Sequence, residues 1–91
     1  MVRINHKLEM TTPDSIKRTI EAGFPCDRVE VVGDGQHFEA LIVSDAFEGL
    51  GKVRRHQRVY AALGERMREE IHALSMTTLT PAEWLQRRGN A

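Results

Sequence analysis

The sequence predicts a two-layer α+β domain. It is read as a three-stranded mixed sheet with helices packed on one face, in the order α-β-β-α-β-α. Three observations carry this. Apolar residues recur at helical spacing in two segments, Ile16/Ile20 and Val53/Tyr60/Leu63/Met67/Ile71. Two strand-like runs flank Gly33-Asp34-Gly35-Gln36, the pattern of a hairpin. A third alternating run follows the long helical segment, so a crossover joins the second strand to the third. If those strands are parallel, the crossover is right-handed.

The elements follow from local chemistry. Thr12 can cap the first helix, Pro13 suits its first position, and Asp14 favours the positive end of its dipole. Gly23 reads as its stop, and Pro25 cannot continue it. Val29, Val31 and Val32 form the first strand. Phe38 to Val43 form the second, with Phe38, Ala40 and Ile42 on one face. Ser44 to Gly51 is a connection, and the long helical pattern then runs through Ile71. Gly64 lies inside that pattern at a cost of about 1 kcal/mol relative to Ala, which suggests close packing there. His72 to Thr78 read as the third strand, with Leu74 and Met76 alternating with Ser75 and Thr77. Thr80-Pro81-Ala82-Glu83 is a capping box that opens a last helix bearing Trp84 and Leu85. The first ten residues are taken to lack periodicity. The expected division is a loose arm over 1–11, one domain over 12–88 and a tail over 89–91.

With 91 residues, 41% apolar and 29% charged, the composition is that of a globular domain. Chains this small bury only about 60% of their unfolded surface, which argues against a deep enclosed active site. No apolar run approaches the ~20 residues of a membrane span, and the N-terminus carries no signal-peptide pattern. The single cysteine, Cys26, excludes an internal disulfide framework and a four-cysteine metal site. A reducing, cytoplasmic setting is expected.

The net charge is zero but unevenly spread. Residues 1–50 hold five Lys/Arg against nine Asp/Glu, and residues 51–91 hold eight against four. The densest basic run is Lys52, Arg54, Arg55 and Arg58, with His56 inside it. It fits a solvated helix face, a nucleic-acid footprint or a dock for an acidic protein.

No catalytic set assembles. Ser15, Ser44 and Ser75 sit in no nucleophile elbow. Gly33-Asp34-Gly35 lacks the residues of a dinucleotide or phosphate loop. Cys26 reads as a partly buried thiol. Trp84 reads as a packing anchor, and no aromatic residue interleaves with the basic run. His37 and His72 are different. Each lies where a strand begins, and imidazole is a good ligand for iron, zinc or copper. Two ligands cannot close a tetrahedral site, so a metal held there would be shared with a partner, a cluster or a small molecule.

Val32-Gly33-Asp34-Gly35-Gln36-His37-Phe38 and Val43-Ser44-Asp45-Ala46-Phe47-Glu48-Gly49 resemble the BolA family. So do Arg55-His56-Gln57-Arg58-Val59-Tyr60-Ala61-Ala62-Leu63, Ile71-His72-Ala73-Leu74-Ser75 and Thr80-Pro81-Ala82-Glu83-Trp84. The resemblance implies a fold similar to a type II KH domain. It also implies a monothiol glutaredoxin partner and a [2Fe–2S] cluster held between the two proteins. The partner side would supply a cysteine and a glutathione thiol, and this chain would supply His37 and His72. Cys26 lies outside the family's loop-ligand position. Neutral His in place of thiolate makes such a cluster less negative, a change that raises the reduction potential in Rieske centres. A non-enzymatic protein is expected, monomeric or weakly dimeric when alone and without a membrane association. Some members of the family bind DNA, and Lys52, Arg54, Arg55 and Arg58 are the matching candidates. The Gly-x-x-Gly clamp of RNA-binding KH domains is missing.

Overall fold

The structure is a computed structural model that describes residues 11–69, 71 and 73–89. Of the predicted arm over residues 1–11, residues 1–10 lie outside the described residues. Helix α1 spans Pro13–Gly23, strand β1 Arg28–Gly33 and strand β2 His37–Val43. A 3-10 turn at Asp45–Phe47 leads to helix α2, Lys52–Leu63, and a short helix α3, Arg66–Glu69. Strand β3 is Ala73–Leu79 and helix α4 is Pro81–Gly89. The predicted order is observed, with the second helical segment divided in two.

The sheet order is β1-β2-β3. β1 and β2 are antiparallel, with Val29 opposite Ile42 and Gly33 opposite Phe38. β2 and β3 are parallel, with His37 opposite Ala73 and Ile42 opposite Thr78. The sheet is therefore mixed, as expected. Period-two alternation sends Val29, Val31, Phe38, Ala40, Ile42, Leu74 and Met76 to one face. There they meet Ile16, Ile20 and Phe24 from α1, Phe47, Val59 and Leu63, and the buried Ile71. The Ile16/Ile20 face is fully buried, as its spacing predicts.

The ends of α1 and α2 exchange the roles expected of their glycines. Thr12 caps α1, its Oγ1 accepting from the Ser15 amide at 3.1 Å while Ser15 Oγ accepts from the Thr12 amide at 3.2 Å. Gly23 does end the helix but has no positive φ. Its role is close approach. A Cβ there would lie 2.4 Å from the Cβ of Ala62 on α2. Gly64 is the reverse case. Nothing lies within 4 Å of where its Cβ would be, but its φ is +57° and α2 stops there. The continuous helix predicted through Ile71 is thus broken by a backbone conformation that other residues adopt only with strain.

The buried stripe of α2 also differs from the expected one. Val53 is 69% exposed and Tyr60 41% exposed, so neither belongs to the core. Val59 and Leu63, four apart, form the buried line instead. Val53, six residues before Val59, lies about 120° from it around a helix of 100° per residue, off the buried line.

α4 contributes no buried residue. It is held by chemistry at its first turn. The Thr80 amide donates to Glu83 Oε1 at 2.9 Å, and the Glu83 amide donates to Thr80 Oγ1 at 3.2 Å. Trp84 lies under the Arg28 guanidinium, 4.9 Å from ring centroid to Cζ, with Arg88 at 5.9 Å. Trp84 is therefore an anchor, through cation–π stacking rather than deep burial. No described helix is long and apolar enough to cross a membrane.

Candidate metal centre and basic helix

His37 is presented by a three-residue turn. Asp34 Oδ1 accepts from the Gln36 and His37 amides, both at 2.9 Å, and the Asp34 amide donates to the His37 carbonyl at 3.2 Å. These two amides, His37 first, hold the Asp34 carboxyl below its usual range. Gly35 takes φ +98° at the turn's tip. Gly33 permits close contact, because a Cβ there would lie 2.5 Å from both the His37 carbonyl and the Phe38 ring. Phe38 is thereby sunk in the core while His37, its neighbour, points the other way and is exposed. The His37 imidazole has no hydrogen-bond or ion-pair partner among the described residues.

Parallel pairing brings the start of β3 to the start of β2. Ala73 sits opposite His37. Ile71, just before that strand, is buried and its amide donates to the Arg66 carbonyl at 2.9 Å. His72, the second predicted ligand, lies outside the described residues. Among the described residues, no group of three or more His, Cys, Asp or Glu could hold a metal ion. His37 is thus an exposed imidazole at the start of the central strand, beside the start of β3.

Cys26 is not such a donor. Its Sγ donates to the Phe24 carbonyl at 3.3 Å. Burial above all, with Glu21 and Asp27 adding to it, pushes the thiol up to about 11. Near neutrality it stays a protonated thiol, the form that neither ligates nor attacks well. Ser44 is equally occupied. Its buried hydroxyl donates to the Pro25 carbonyl at 2.5 Å and accepts from the Ala46 amide at 3.0 Å.

The four basic residues grouped by sequence do not share one role. Lys52, Arg54 and Arg58 are exposed along α2, with Arg58 lying 5.6 Å from the Phe24 ring centroid. Arg55 is turned inward and its side chain is only 14% exposed. Its Nε donates to the Leu50 carbonyl at 2.7 Å and one terminal nitrogen to the Thr78 carbonyl at 3.0 Å. The guanidinium also grips Glu83 with a two-pronged pair at 2.7 and 3.2 Å. Arg55 therefore joins α2, β3 and α4 and does not face a ligand. This fork holds the Glu83 carboxyl down to about 2, with the Thr80 amide adding to it. His56 also turns inward, its Nε2 buried and without a partner among the described residues.

Sequence reading missed two long-range contacts, one beside the start of α2 and one beyond its end. The Arg55–Glu83 pair spans 28 positions, although the Thr80–Glu83 capping box was visible. Arg66, which the sequence reading gave no role, donates to Thr19 Oγ1 at 2.6 Å and to Ser15 at 3.0 and 3.1 Å. No local pattern announces either contact.

The comparisons with known proteins agree with this architecture. The BolA-like protein family model matches residues 14–83. The chain is 36% identical over 76 residues to the acid stress protein IbaG of Escherichia coli, covering 82% of this chain and 90% of that one. It is 46% identical over 52 residues to the DNA-binding transcriptional regulator BolA of Haemophilus influenzae, covering 57% of this chain and 50% of that one. A solved bolA protein homologue from Coxiella burnetii is 47% identical, with a TM-score of 0.77, covering 84% of this chain and 99% of that one. The stretch that matches opens in the first turn of α1 and closes on the carboxylate that fixes α4, and over that stretch this chain belongs to the BolA family.

Proposed function

We propose that this chain is a non-enzymatic partner of a monothiol glutaredoxin and shares with it a glutathione-linked [2Fe–2S] cluster. His37 and His72 are its ligands, and its work is iron–sulfur cluster trafficking or iron-linked regulation. The observation that carries this is the parallel register of β2 and β3. It sets the strand start bearing the exposed His37 beside the strand start that follows His72. Two imidazoles from one chain leave two positions for thiolates from outside. The Asp34 turn orients the His37 backbone, and an imidazole can offer one nitrogen to a metal. When bound, the cluster would supply the redox and transfer chemistry. The chain's own part would be to offer His37 and His72 as imidazole donors.

The test is anaerobic reconstitution of the chain with a monothiol glutaredoxin, glutathione, iron and sulfide, followed by visible circular dichroism and EPR. A signal distinct from that of glutaredoxin alone is expected. His72→Ala should abolish it and His37→Ala should weaken or alter it. Wild-type-like spectra from both variants refute the assignment.

A second reading, DNA-binding regulation, is favoured by one observation. Lys52, Arg54 and Arg58 remain exposed on α2 after Arg55 is engaged. A relative from Haemophilus influenzae is named a DNA-binding transcriptional regulator. This reading requires affinity that falls steeply with salt and disappears in Arg54→Glu/Arg58→Glu.

A further inference from the structure

We propose that Arg66 is a positioning residue for the candidate centre: clamped on Ser15 and Thr19 of α1, it fixes the turn that delivers β3 beside His37. This rests on the shared-cluster reading and adds to it a residue from outside the ligand set.

The chain faces a specific problem after Gly64. α2 has ended, and the backbone must turn back to the sheet in register with His37. The intervening helix α3 has only four residues, too few to be stable by itself. Arg66 supplies what the segment lacks. One terminal nitrogen donates to the Ser15 carbonyl at 3.1 Å and to Thr19 Oγ1 at 2.6 Å, and the other donates to Ser15 Oγ at 3.0 Å. The contact bridges 51 positions of sequence to the first turns of α1. Both acceptor residues are themselves ordered, since Thr19 Oγ1 donates to the Ser15 carbonyl at 2.9 Å and Ser15 belongs to the α1 cap. A guanidinium can make three such bonds in one plane, whereas an ammonium cannot reproduce that fork.

The same residue closes the turn. The Arg66 carbonyl accepts from the Ile71 amide at 2.9 Å, and the Ile71 side chain is buried in the core. Two positions later Ala73 pairs with His37. The path from the clamp to the strand start thus runs through one backbone hydrogen bond and one buried side chain. Releasing the guanidinium frees the turn without removing any ligand.

The experiment compares Arg66→Ala, Arg66→Lys, Thr19→Val, the Arg66→Ala/Thr19→Val double variant and Lys17→Ala, which breaks the exposed Lys17–Glu21 pair on the same helix. Each is confirmed folded by far-ultraviolet circular dichroism. Two quantities are read. One is amide hydrogen exchange at Ile71 in the isolated chain. The other is the half-life and visible dichroism of the cluster shared with a monothiol glutaredoxin. Arg66→Ala should speed exchange at Ile71 and shorten the half-life severalfold, short of the ~10-fold that losing a direct partner of a metal ligand costs. Arg66→Lys should recover only part of this. Thr19→Val should act in the same direction, and the double variant should be no worse than Arg66→Ala. Lys17→Ala should change neither quantity. A wild-type half-life in Arg66→Ala, or strictly additive effects of Arg66→Ala and Thr19→Val, overturns the inference and leaves the shared-cluster reading standing. A wild-type chain that forms no mixed cluster overturns that reading itself, and the role of Arg66 falls with it.

Discussion

Replacing Gly23 by Ala tests how α1 and α2 are held together. The added Cβ would lie 2.4 Å from Ala62 Cβ and 3.2 Å from Ala62 Cα. Carbon atoms pack best at about 3.5–4.0 Å, so the helices must separate by about 1 Å or tilt. Overpacking of this kind costs about 1–3 kcal/mol. Against it stands the better helix propensity of Ala, worth at most about 1 kcal/mol in a helix interior and less at its last residue. The net expectation is a loss of about 1–2 kcal/mol, with Tm falling by about 4–8 °C for each kcal/mol in a domain this small. Urea unfolding with unchanged slope is the assay. Ala62→Gly removes the facing methyl group, so Gly23→Ala/Ala62→Gly should be more stable than the two single effects predict. A Gly23→Ala variant as stable as wild type refutes the close-packing account and returns Gly23 to the role of a simple helix stop.

Gly64→Ala should also destabilise, for a different reason. The substitution meets no neighbour, but it forces φ +57° and ψ −133° on a residue with a Cβ, at a cost of about 1–3 kcal/mol. Undiminished stability in urea would show that the break in the helix does not depend on glycine. The Arg55–Glu83 pair should set the acid behaviour of α4. Glu83 is depressed from an ordinary 4.5 to about 2, so its contribution is present above about 4.5 and is lost as pH falls from there through about 2. Trp84, the only tryptophan, reports on α4 directly. Its fluorescence should hold through the ordinary Glu range and change only near pH 2, and Glu83→Gln should remove that transition. A midpoint near 4.5 would refute the pairing.

Much of the fold was legible because it rests on short-range chemistry. The Thr12 cap, the Asp34-Gly35 turn and the Thr80–Glu83 box are contacts over two or three positions. The alternation of Phe38, Ala40 and Ile42 correctly marks the buried face. The glycines show where such reading ends. Gly23 and Gly64 look alike as letters at helix positions, and only the proximity of Ala62 and the sign of φ separate a packing role from a terminating one. The stripe on α2 was misplaced for a related reason. Apolar spacing names the residues that could be buried, but the neighbours α1 and β3 select Val59 and Leu63 over Val53 and Tyr60.

The candidate site divides along the same line. Sequence by itself determined the family resemblance, the order of elements, and the position of His37 at a strand start. Each depends on residue type and spacing along the chain. Tertiary structure alone decided the register of β3 against β2, in which Ala73 lies opposite His37. It also decided that Arg55 joins three elements rather than facing a ligand, and that Arg66 reaches back to Ser15 and Thr19. Long charged side chains carry no periodicity that predicts their partners. A guanidinium on an exposed helix and one clamped across the fold are the same residue in sequence, and only the packing of the other elements brings acceptors within 3 Å of one and leaves the other in water.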